Sequence, residues 1–387
     1  MDKNISGKPL RVLYSGSIAA SHGGPAMSIY YTLHGLRQLG VDAQLIQFPL
    51  SSDDSMRGKG DIPIHYVQSA PHTPLDYAPS FKRDIEACGP QDIYHAQGIW
   101  LWNTYMMADV AMKYHKPYLI STRGMLNPGD ISKHNEWAKK LSLRLRLLSD
   151  LNHAACVHVT CEEEMRHCRA IGVTSPIAII PNPIDINGYK IAKPDQTFRV
   201  AYLGRLVPMK NVESLIYAFD RLRDDMTDAE LVIIGADDVK YEEFLRNEVK
   251  RLGLRNVKFT GFLTGTEKNQ VLESCSLLVL PSKYENFGNS VLEGLARNIP
   301  CIATTGAPWS ELNTEHCGWQ VPFEQEAITN AIRIARHTPK EELWRMGENG
   351  HRLVERKFTV EMVAMKMLSL YQWILGVGEK PKEVFDL

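Results

Sequence analysis

The chain has no run of about 18 uninterrupted apolar residues, so no membrane-spanning helix is expected. Its first residues, Met1 to Pro9, lack the apolar stretch of a secretory signal, which leads to the expectation of a cytosolic protein. Charge of one sign is missing too. Lys and Arg number 44 against 45 Asp and Glu, so nothing global draws the chain to nucleic acid or to acidic partners. Seven cysteines, an odd number, exclude a fully paired disulfide framework and point to reduced thiols. His153, Cys156, His158, Cys161, His167 and Cys168 cluster, but no CxxC or HxxxH spacing is present. Residues 156–160 alternate like a strand, which sends neighbouring side chains to opposite faces, and no metal is expected there. The dinucleotide fingerprint GxGxxG does not follow the first strand, which disfavours an oxidoreductase.

What is present is size and pattern. A chain of 387 residues, 44% apolar, can build two ordinary domains. The most informative stretch is residues 281–296. Before it, Ser276 to Leu280 is continuously apolar after its first residue and ends at Pro281, as a strand buried on both faces reads. After it, Val291, Leu292, Leu295 and Ala296 recur at helical spacing. The order strand, glycine-containing loop, helix puts the loop at the carboxyl end of the strand, where open α/β sheets bind ligands. Gly288 lets backbone approach a ligand, Asn289 is placed to cap the helix, and the N–H groups of residues 289 to 291 suit a phosphate. Glu285 and Glu293 flank that position. Carboxylates repel phosphate but accept hydrogen bonds from hydroxyls, so a pyrophosphate between two polyols, a nucleotide sugar, fits the layout. On spacing alone, a solvated loop Glu and a surface helical Glu fit equally well.

The rest of the chain supplies context. Leu10 to Ser15 reads as a first strand, and Gly23-Gly24-Pro25 opens a helix running to about Leu39. Strands are expected near 43–48, 93–95, 118–121, 156–160 and 177–180, and helices between most of them imply a parallel sheet. Residues 50–77, polar and rich in Pro, Gly and Ser, read as a long irregular loop. Gly98 to Asn103 and Thr122 to Pro128 each follow a strand and fall at its carboxyl end. In residues 132–148, Trp137, Leu141, Leu145 and Leu148 line one helical face and Lys133, Lys139, Lys140, Arg144 and Arg146 supply a basic one. Such a helix either packs its Leu stripe on the core or lies on an anionic membrane surface. Residues 187–196 read as a linker. A second strand–helix series starts at Phe198, with Gly204, Arg205 and Lys210 in a loop that brings two cations together. It continues near 231–235, 257–260, 277–280, 301–304 and 318–321, and closes with amphipathic helices. The expected domains are 1–188, 196–358 and a terminal segment 359–387.

Glu285-x7-Glu293, followed by Asn298 to Thr304 and Glu311, resembles the donor-site signature of the retaining glycosyltransferases of family 4. The resemblance covers almost the whole chain. It implies a GT-B fold, two doubly wound α/β domains facing across a cleft, with the terminal helix crossing back onto the first. It also implies that Arg205 and Lys210 hold the donor pyrophosphate, that Glu293 binds the ribose and that Glu285 binds the transferred sugar as a positioner rather than a base. Gly23 and Gly24 match the loop that faces the reacting centre, and Gly204, Gly235 and the turn Gly261-Phe262-Leu263 lie along the nucleotide. Phe287, Gly288, Asn289, Ser290 and Val291 complete the donor contacts. Many members carry a His near the end of the strand at 118–121. Here Ser121-Thr122-Arg123-Gly124 stands instead, which makes Arg123 the replacement candidate, with His95 the nearest alternative.

The expected activity is transfer of a sugar from a nucleotide sugar, UDP- rather than GDP-linked, to a saccharide, with retention and without a metal or other cofactor. The Arg-Gly-Met-Leu variant resembles the branch that builds bacterial surface polysaccharides. That implies a lipid-linked acceptor in lipopolysaccharide, capsule or exopolysaccharide synthesis, met at the cytoplasmic membrane. A sugar-nucleotide epimerase of the same fold and a non-catalytic sugar-nucleotide binder are the alternatives.

Overall fold

The computed structural model describes residues 8–50, 55, 62–72, 75–131, 136–191 and 197–387. The chain divides into two compact units, Met1–Asp185 with Val360–Leu387, and Ile186–Thr359.

The first unit contains β1 (Arg11–Ser15), β2 (Asp42–Gln47), β3 (Ile64–Tyr66), β4 (Ile93–Gln97), β5 (Tyr118–Ser121), β6 (Cys156–Val159) and β7 (Ile177–Ile179). They pair in parallel in the order β7-β6-β5-β4-β1-β2-β3. Val384–Phe385 adds a short antiparallel partner to β7. Every residue of β4, β5 and β6 is buried, the polar His95, Gln97, Ser121 and His158 included. The helix Val360–Ile374 lies against the helix Gly24–Gln38, closely enough that a Cβ on Gly35 would sit 2.8 Å from the Ala364 side chain.

The second unit contains β8 (Phe198–Leu203), β9 (Ala229–Ile234), β10 (Val257–Gly261), β11 (Leu277–Leu280), β12 (Cys301–Thr304) and β13 (Gly318–Val321). Their order is β10-β9-β8-β11-β12-β13, again parallel. Both units therefore have the doubly wound order, in which the winding reverses between the first and fourth strands and opens a crevice at their carboxyl ends. In the first unit that switch point lies between β1 and β4, in the second between β8 and β11.

Two expectations change. The segment 50–77 is not wholly irregular. β3 pairs with β2 within it, although residues 51–54, 56–61, 73 and 74 are outside the described residues. At three half-exposed residues behind Pro63, β3 is too short to show a period. The linker 187–196 is described only to Ile191. In the basic stretch, Ser132 to Asn135, including Lys133, also falls outside the described residues. Beyond it the chain forms an α-helix Glu136–Ser142, a π segment Leu143–Leu147 and an α-helix Leu148–His153. Of the stripe counted at regular spacing, Leu148 alone packs on the core. Trp137, Leu141 and Leu145 are 73%, 47% and 72% exposed, while Leu147 is buried and Leu143 and Leu148 pack on the core. The wider π turn shifts the phase on which that stripe was counted. No helix among the described residues is long and apolar enough to cross a membrane.

Candidate functional site

At the switch point of the second unit, the loops leaving β8 and β11 are stitched together. Lys283 N–H donates to Met209 O at 2.9 Å, and Asn211 Nδ2 donates to Pro281 O at 3.2 Å. This registry brings Lys210 Nζ to 2.5 Å from Glu285 Oε1, which also accepts from Ser282 Oγ at 2.7 Å. Both members of the ion pair are largely shielded, so the contact is screened less than a surface pair. The Glu285 loop is braced from behind. Glu285 N–H donates to Gly306 O at 2.7 Å, and Trp309 Nε1 donates to Phe287 O at 2.6 Å. A Cβ on Gly306 would lie 2.3 Å from Lys283 O, so only glycine permits that approach. Phe287, Trp309 and Phe358 pack ring against ring below the loop.

Arg205 is the looser cation. Its side chain is 69% exposed and its Nη1 pairs with Asp237 Oδ2 at 3.1 Å, a surface contact that contributes about 0–1 kcal/mol. Gly204 and Gly235 touch, for a Cβ on Gly235 would fall 1.8 Å from Gly204 O. Gly235 N–H donates to Gly261 O at 2.9 Å, and the following Phe262 is 69% exposed while Leu263 is half-buried.

The helix after the loop spans Asn289–Leu295, and two expectations about it are corrected. Gly288, not Asn289, occupies the cap position, because the chain turns there at φ +84, a conformation open to glycine. The N–H of Val291 is not free either, since it donates to Gly288 O at 3.0 Å. Asn289 and Ser290 form the half-buried first turn. One turn on, Glu293 Oε2 lies 2.5 Å from Lys268 Nζ and 3.8 Å from Arg297 Nη1. Arg297 is fully buried, bonded to Glu293 O and Asn269 Oδ1, with its guanidinium 3.7 Å from the centre of the Tyr189 ring. Each acid of Glu285-x7-Glu293 is thus held by a lysine from another strand–loop–helix unit. Sequence reasoning missed Lys268, Arg297, Asp237 and Ser282. Arg297, four residues after Glu293, could have been found as an i,i+4 pair; Lys268 had no local signal.

In the first unit, Gly23 (φ +60) ends a short 3-10 turn and Gly24 begins the helix Gly24–Gln38. Arg123, with φ +53, sends Nε to Gln97 Oε1 at 2.9 Å and Nη1 to Ser28 Oγ and Asn182 Oδ1, both at 3.1 Å; Nη2 also donates to Gln97 Oε1. Burial lowers its pKa, with Glu164 and Tyr14 acting the other way. Glu164 itself accepts from Thr122 Oγ1, the Gly124 N–H, and the N–H and hydroxyl of Thr160.

His95 is buried in a chain of hydrogen bonds, Tyr14 Oη to Tyr371 Oη (2.5 Å), to His95 Nδ1 (2.8 Å), His95 Nε2 to Ser121 Oγ (2.8 Å), and Ser121 Oγ to His158 Nδ1 (2.7 Å). It ends with His158 Nε2 at 2.9 Å from Ile180 O. A carbonyl only accepts, so His158 carries its proton on Nε2 and every earlier link takes one direction: Tyr14 donates to Tyr371, Tyr371 to His95, His95 to Ser121 and Ser121 to His158. Burial pushes the His158 pKa down to about 3 and lowers that of His95 well below its ordinary range, which keeps both rings neutral. Both His95 ring nitrogens are spent inside the unit.

Comparison with known proteins follows the same division. Residues 185–353 match the family described as glycosyl transferases group 1, and residues 23–183 match the glycosyl transferase 4-like domain. The chain is 29% identical over 186 residues to the O-antigen chain mannosyltransferase C of Escherichia coli, covering 45% of this chain and 46% of that protein. It is 27% identical over 183 residues to mannosylfructose-phosphate synthase of Agrobacterium fabrum, covering 45% and 40%. The chain spans less than half the length of these curated relatives. Among solved structures, the sucrose-phosphate synthase of Thermosynechococcus elongatus has the same fold, with a TM-score of 0.76 and 18% identity over 96% of this chain and all of that one. HepE of Anabaena, solved with UDP-glucose, has a TM-score of 0.73 at 18% identity over 94% and 99%. With two parallel-sheet α/β domains of the GT-B type and both family matches in sequence, the chain belongs to the glycosyltransferases of the family 4 type.

Proposed function

We propose that this protein transfers a sugar from a nucleotide sugar, with UDP as the carrier, to a saccharide acceptor with retention of anomeric configuration. The observation that carries the reading is the paired arrangement at the second switch point, where Lys210, Arg205, Glu285 and Glu293 surround the carboxyl ends of β8 and β11. The sugar C1–O bond to the diphosphate breaks, a bond from an acceptor oxygen forms on the same face, and the departing phosphate takes the acceptor's proton. Lys210 and Arg205 would carry the negative charge that grows on the leaving diphosphate, a role that needs donors already in position and no resident metal. Glu285 would accept from sugar hydroxyls, and Glu293, fixed at Oε2 by Lys268, from the ribose. HepE crystallises with UDP-glucose, which favours the uridine carrier, and the O-antigen mannosyltransferase favours a role in surface polysaccharide synthesis.

The acceptor in this reading is lipid-linked and met at the inner face of the cytoplasmic membrane. Exposed Trp137, Leu141 and Leu145 alternate with Lys140 and Arg144 on the helical stretch after residue 135, a surface that suits anionic lipid. Sedimentation with liposomes should capture the protein only when anionic lipid is present, and charge reversal at Lys139, Lys140 and Arg144 should release it.

A thermal-shift panel of UDP-, GDP- and ADP-sugars with wild type and Glu293→Ala tests the donor. Stabilisation by UDP-sugars, weakened in the variant, is the expected result; no shift with any nucleotide sugar would overturn the reading. Conversion of the donor with no acceptor present would indicate an epimerase instead, and donor binding without turnover a pure binder.

A further inference from the structure

In the first unit, the carboxyl ends of β1 and β4 flank the switch point, where doubly wound sheets bind ligands. Gln97 is the last residue of β4 and is buried. Its amide orientation is fixed, because the Arg123 guanidinium only donates and so must face Oε1. The amide Nε2 then turns away, and among the described residues this buried donor has no partner. Gln47, the last residue of β2 on the other side of β1, repeats the pattern. Its Oε1 accepts from the Ile18 N–H at 3.1 Å, and among the described residues its buried Nε2 has no partner. Leaving a buried amide donor unsatisfied costs roughly 1–3 kcal/mol, so two at one sheet edge need a reason.

Arg123 adds charge of the matching sign. All three side chains that accept from its guanidinium, Gln97, Ser28 and Asn182, do so through neutral oxygens, and no carboxylate among the described residues lies within ion-pair distance. Glu164 is close enough to be felt, but both its oxygens are occupied by four other donors. Among the described residues, Nη2 donates to Gln97 alone. The helix Gly24–Gln38, whose Ser28 touches Arg123, has no acidic residue in its first turn, so its positive end is not neutralised there. The left-handed backbone at Arg123 is strained for a non-glycine residue, as often occurs where a side chain is aimed at a ligand.

We infer that Arg123 and the Gln97 amide bind an oxyanion carried on a saccharide substrate, a carboxylate or a phosphate, so that the chain handles an acidic sugar. This rests on the glycosyltransferase reading only for the role of that sugar; the anion site stands on its own geometry. The shared chemistry, an amide N–H beside a guanidinium, suits either a uronic acid or a sugar phosphate.

Calorimetric titration of the full chain saturated with UDP, so that phosphate cannot report on the second unit, tests this with D-glucuronate, glucose 6-phosphate and neutral glucose. The expected result is at least about tenfold tighter binding of one acidic sugar than of glucose, about 1.4 kcal/mol. Which one binds names the anion. In Gln97→Glu the new carboxylate closes the guanidinium, so the preference should vanish while the melting temperature is kept or raised. Arg123→Gln should also abolish it. Equal binding of all three sugars by wild type, binding of none, or a preference that survives in Gln97→Glu would overturn the inference. Failure of UDP itself to bind would instead count against the donor assignment, and the sugar titrations would still be read without it.

Discussion

The two sheets have the same winding order, yet they treat polar groups at their carboxyl ends in opposite ways. The second unit brings full charges together in pairs, Lys210 with Glu285 and Lys268 with Glu293. The first uses neutral groups in a directed file from Tyr14 to Ile180, with Arg123 as a cation among amide and hydroxyl oxygens. Ion pairs at the rim hold carboxylates in a fixed place while leaving them able to exchange partners with an incoming hydroxyl or phosphate. A buried neutral file does the reverse. Every donor and acceptor in it is committed, so it fixes the sheet and the helix Val360–Ile374 relative to one another. The same fold thus carries a reactive edge and a rigid one.

The largest expected effect lies on the reactive side. Lys210→Met should lower kcat by about 10²–10³-fold, the usual consequence of removing one positioned donor from a developing negative charge. Because the variant also leaves Glu285 with only Ser282 as a side-chain donor, steady-state kinetics on wild type, Lys210→Met and Lys210→Arg should show partial rescue by Arg. Equal kcat in all three would erase the contrast between the two edges.

The rigid side should show itself through pH. A neutral buried His158, with a folded pKa of about 3 against an ordinary 6.5, binds its proton more weakly in the folded chain than in the unfolded one. Stability is therefore fully present above the ordinary value and declines as pH falls below it, by about 1.4 kcal/mol per unit until the folded pKa is reached. From pH 7 to pH 5 the expected loss from this group is about 2 kcal/mol. His95 acts in the same direction. Urea unfolding at both pH values, for wild type and His158→Asn, checks this, because the variant should have the shallower pH dependence. Identical slopes would mean that the file carries no linked proton.

Much of this was legible beforehand because parallel strands buried on both faces leave an unmistakable apolar run, as at Leu277–Leu280 and Cys301–Thr304. The loop residues were legible for a similar reason, since Gly, Pro and paired charges mark strand ends. What could not be read depended on contacts between distant segments. Lys268 meets Glu293 only because β10 and β11 share a sheet, and no spacing records that. The cap at Gly288 was hidden by Asn289, a residue that caps helices well but here follows a glycine already in the left-handed conformation. In the basic helix a single π segment was enough to turn most of the counted stripe outward. The tautomers of His95 and His158 were out of reach until Ile180 O fixed one end.

Lys268 offers a smaller test on the reactive side. Lys268→Met removes the cation at 2.5 Å but leaves Arg297 at 3.8 Å, so Glu293 keeps a charge partner and loses its precise seat. UDP affinity should fall about tenfold, roughly 1.4 kcal/mol, with kcat little changed. The same substitution should matter less for a nucleotide lacking ribose hydroxyls, because the carboxylate would have nothing to accept. Calorimetry with UDP and its 2′,3′-dideoxy analogue distinguishes this positioning role from a general loss of fold, which would weaken both ligands alike.

The single smallest effect, at Tyr14, belongs to a test of coupling along the neutral file. Tyr14 stands at its donating end, so Tyr14→Phe removes one donor and leaves a single acceptor, the Tyr371 oxygen, without its proton source. Tyr371→Phe cuts the file in the middle and leaves both the Tyr14 hydroxyl and His95 Nδ1 unsatisfied in the buried interior. Tyr14→Phe should cost about 1 kcal/mol, and Tyr371→Phe about 1 kcal/mol more, since each stranded buried group adds its own desolvation penalty. Denaturant unfolding of the two single variants and of the double variant measures it. The double variant should be no less stable than Tyr371→Phe alone, because removing Tyr14 as well takes away one of the two stranded groups. A simple sum of the two single losses would show that the two hydroxyls act independently.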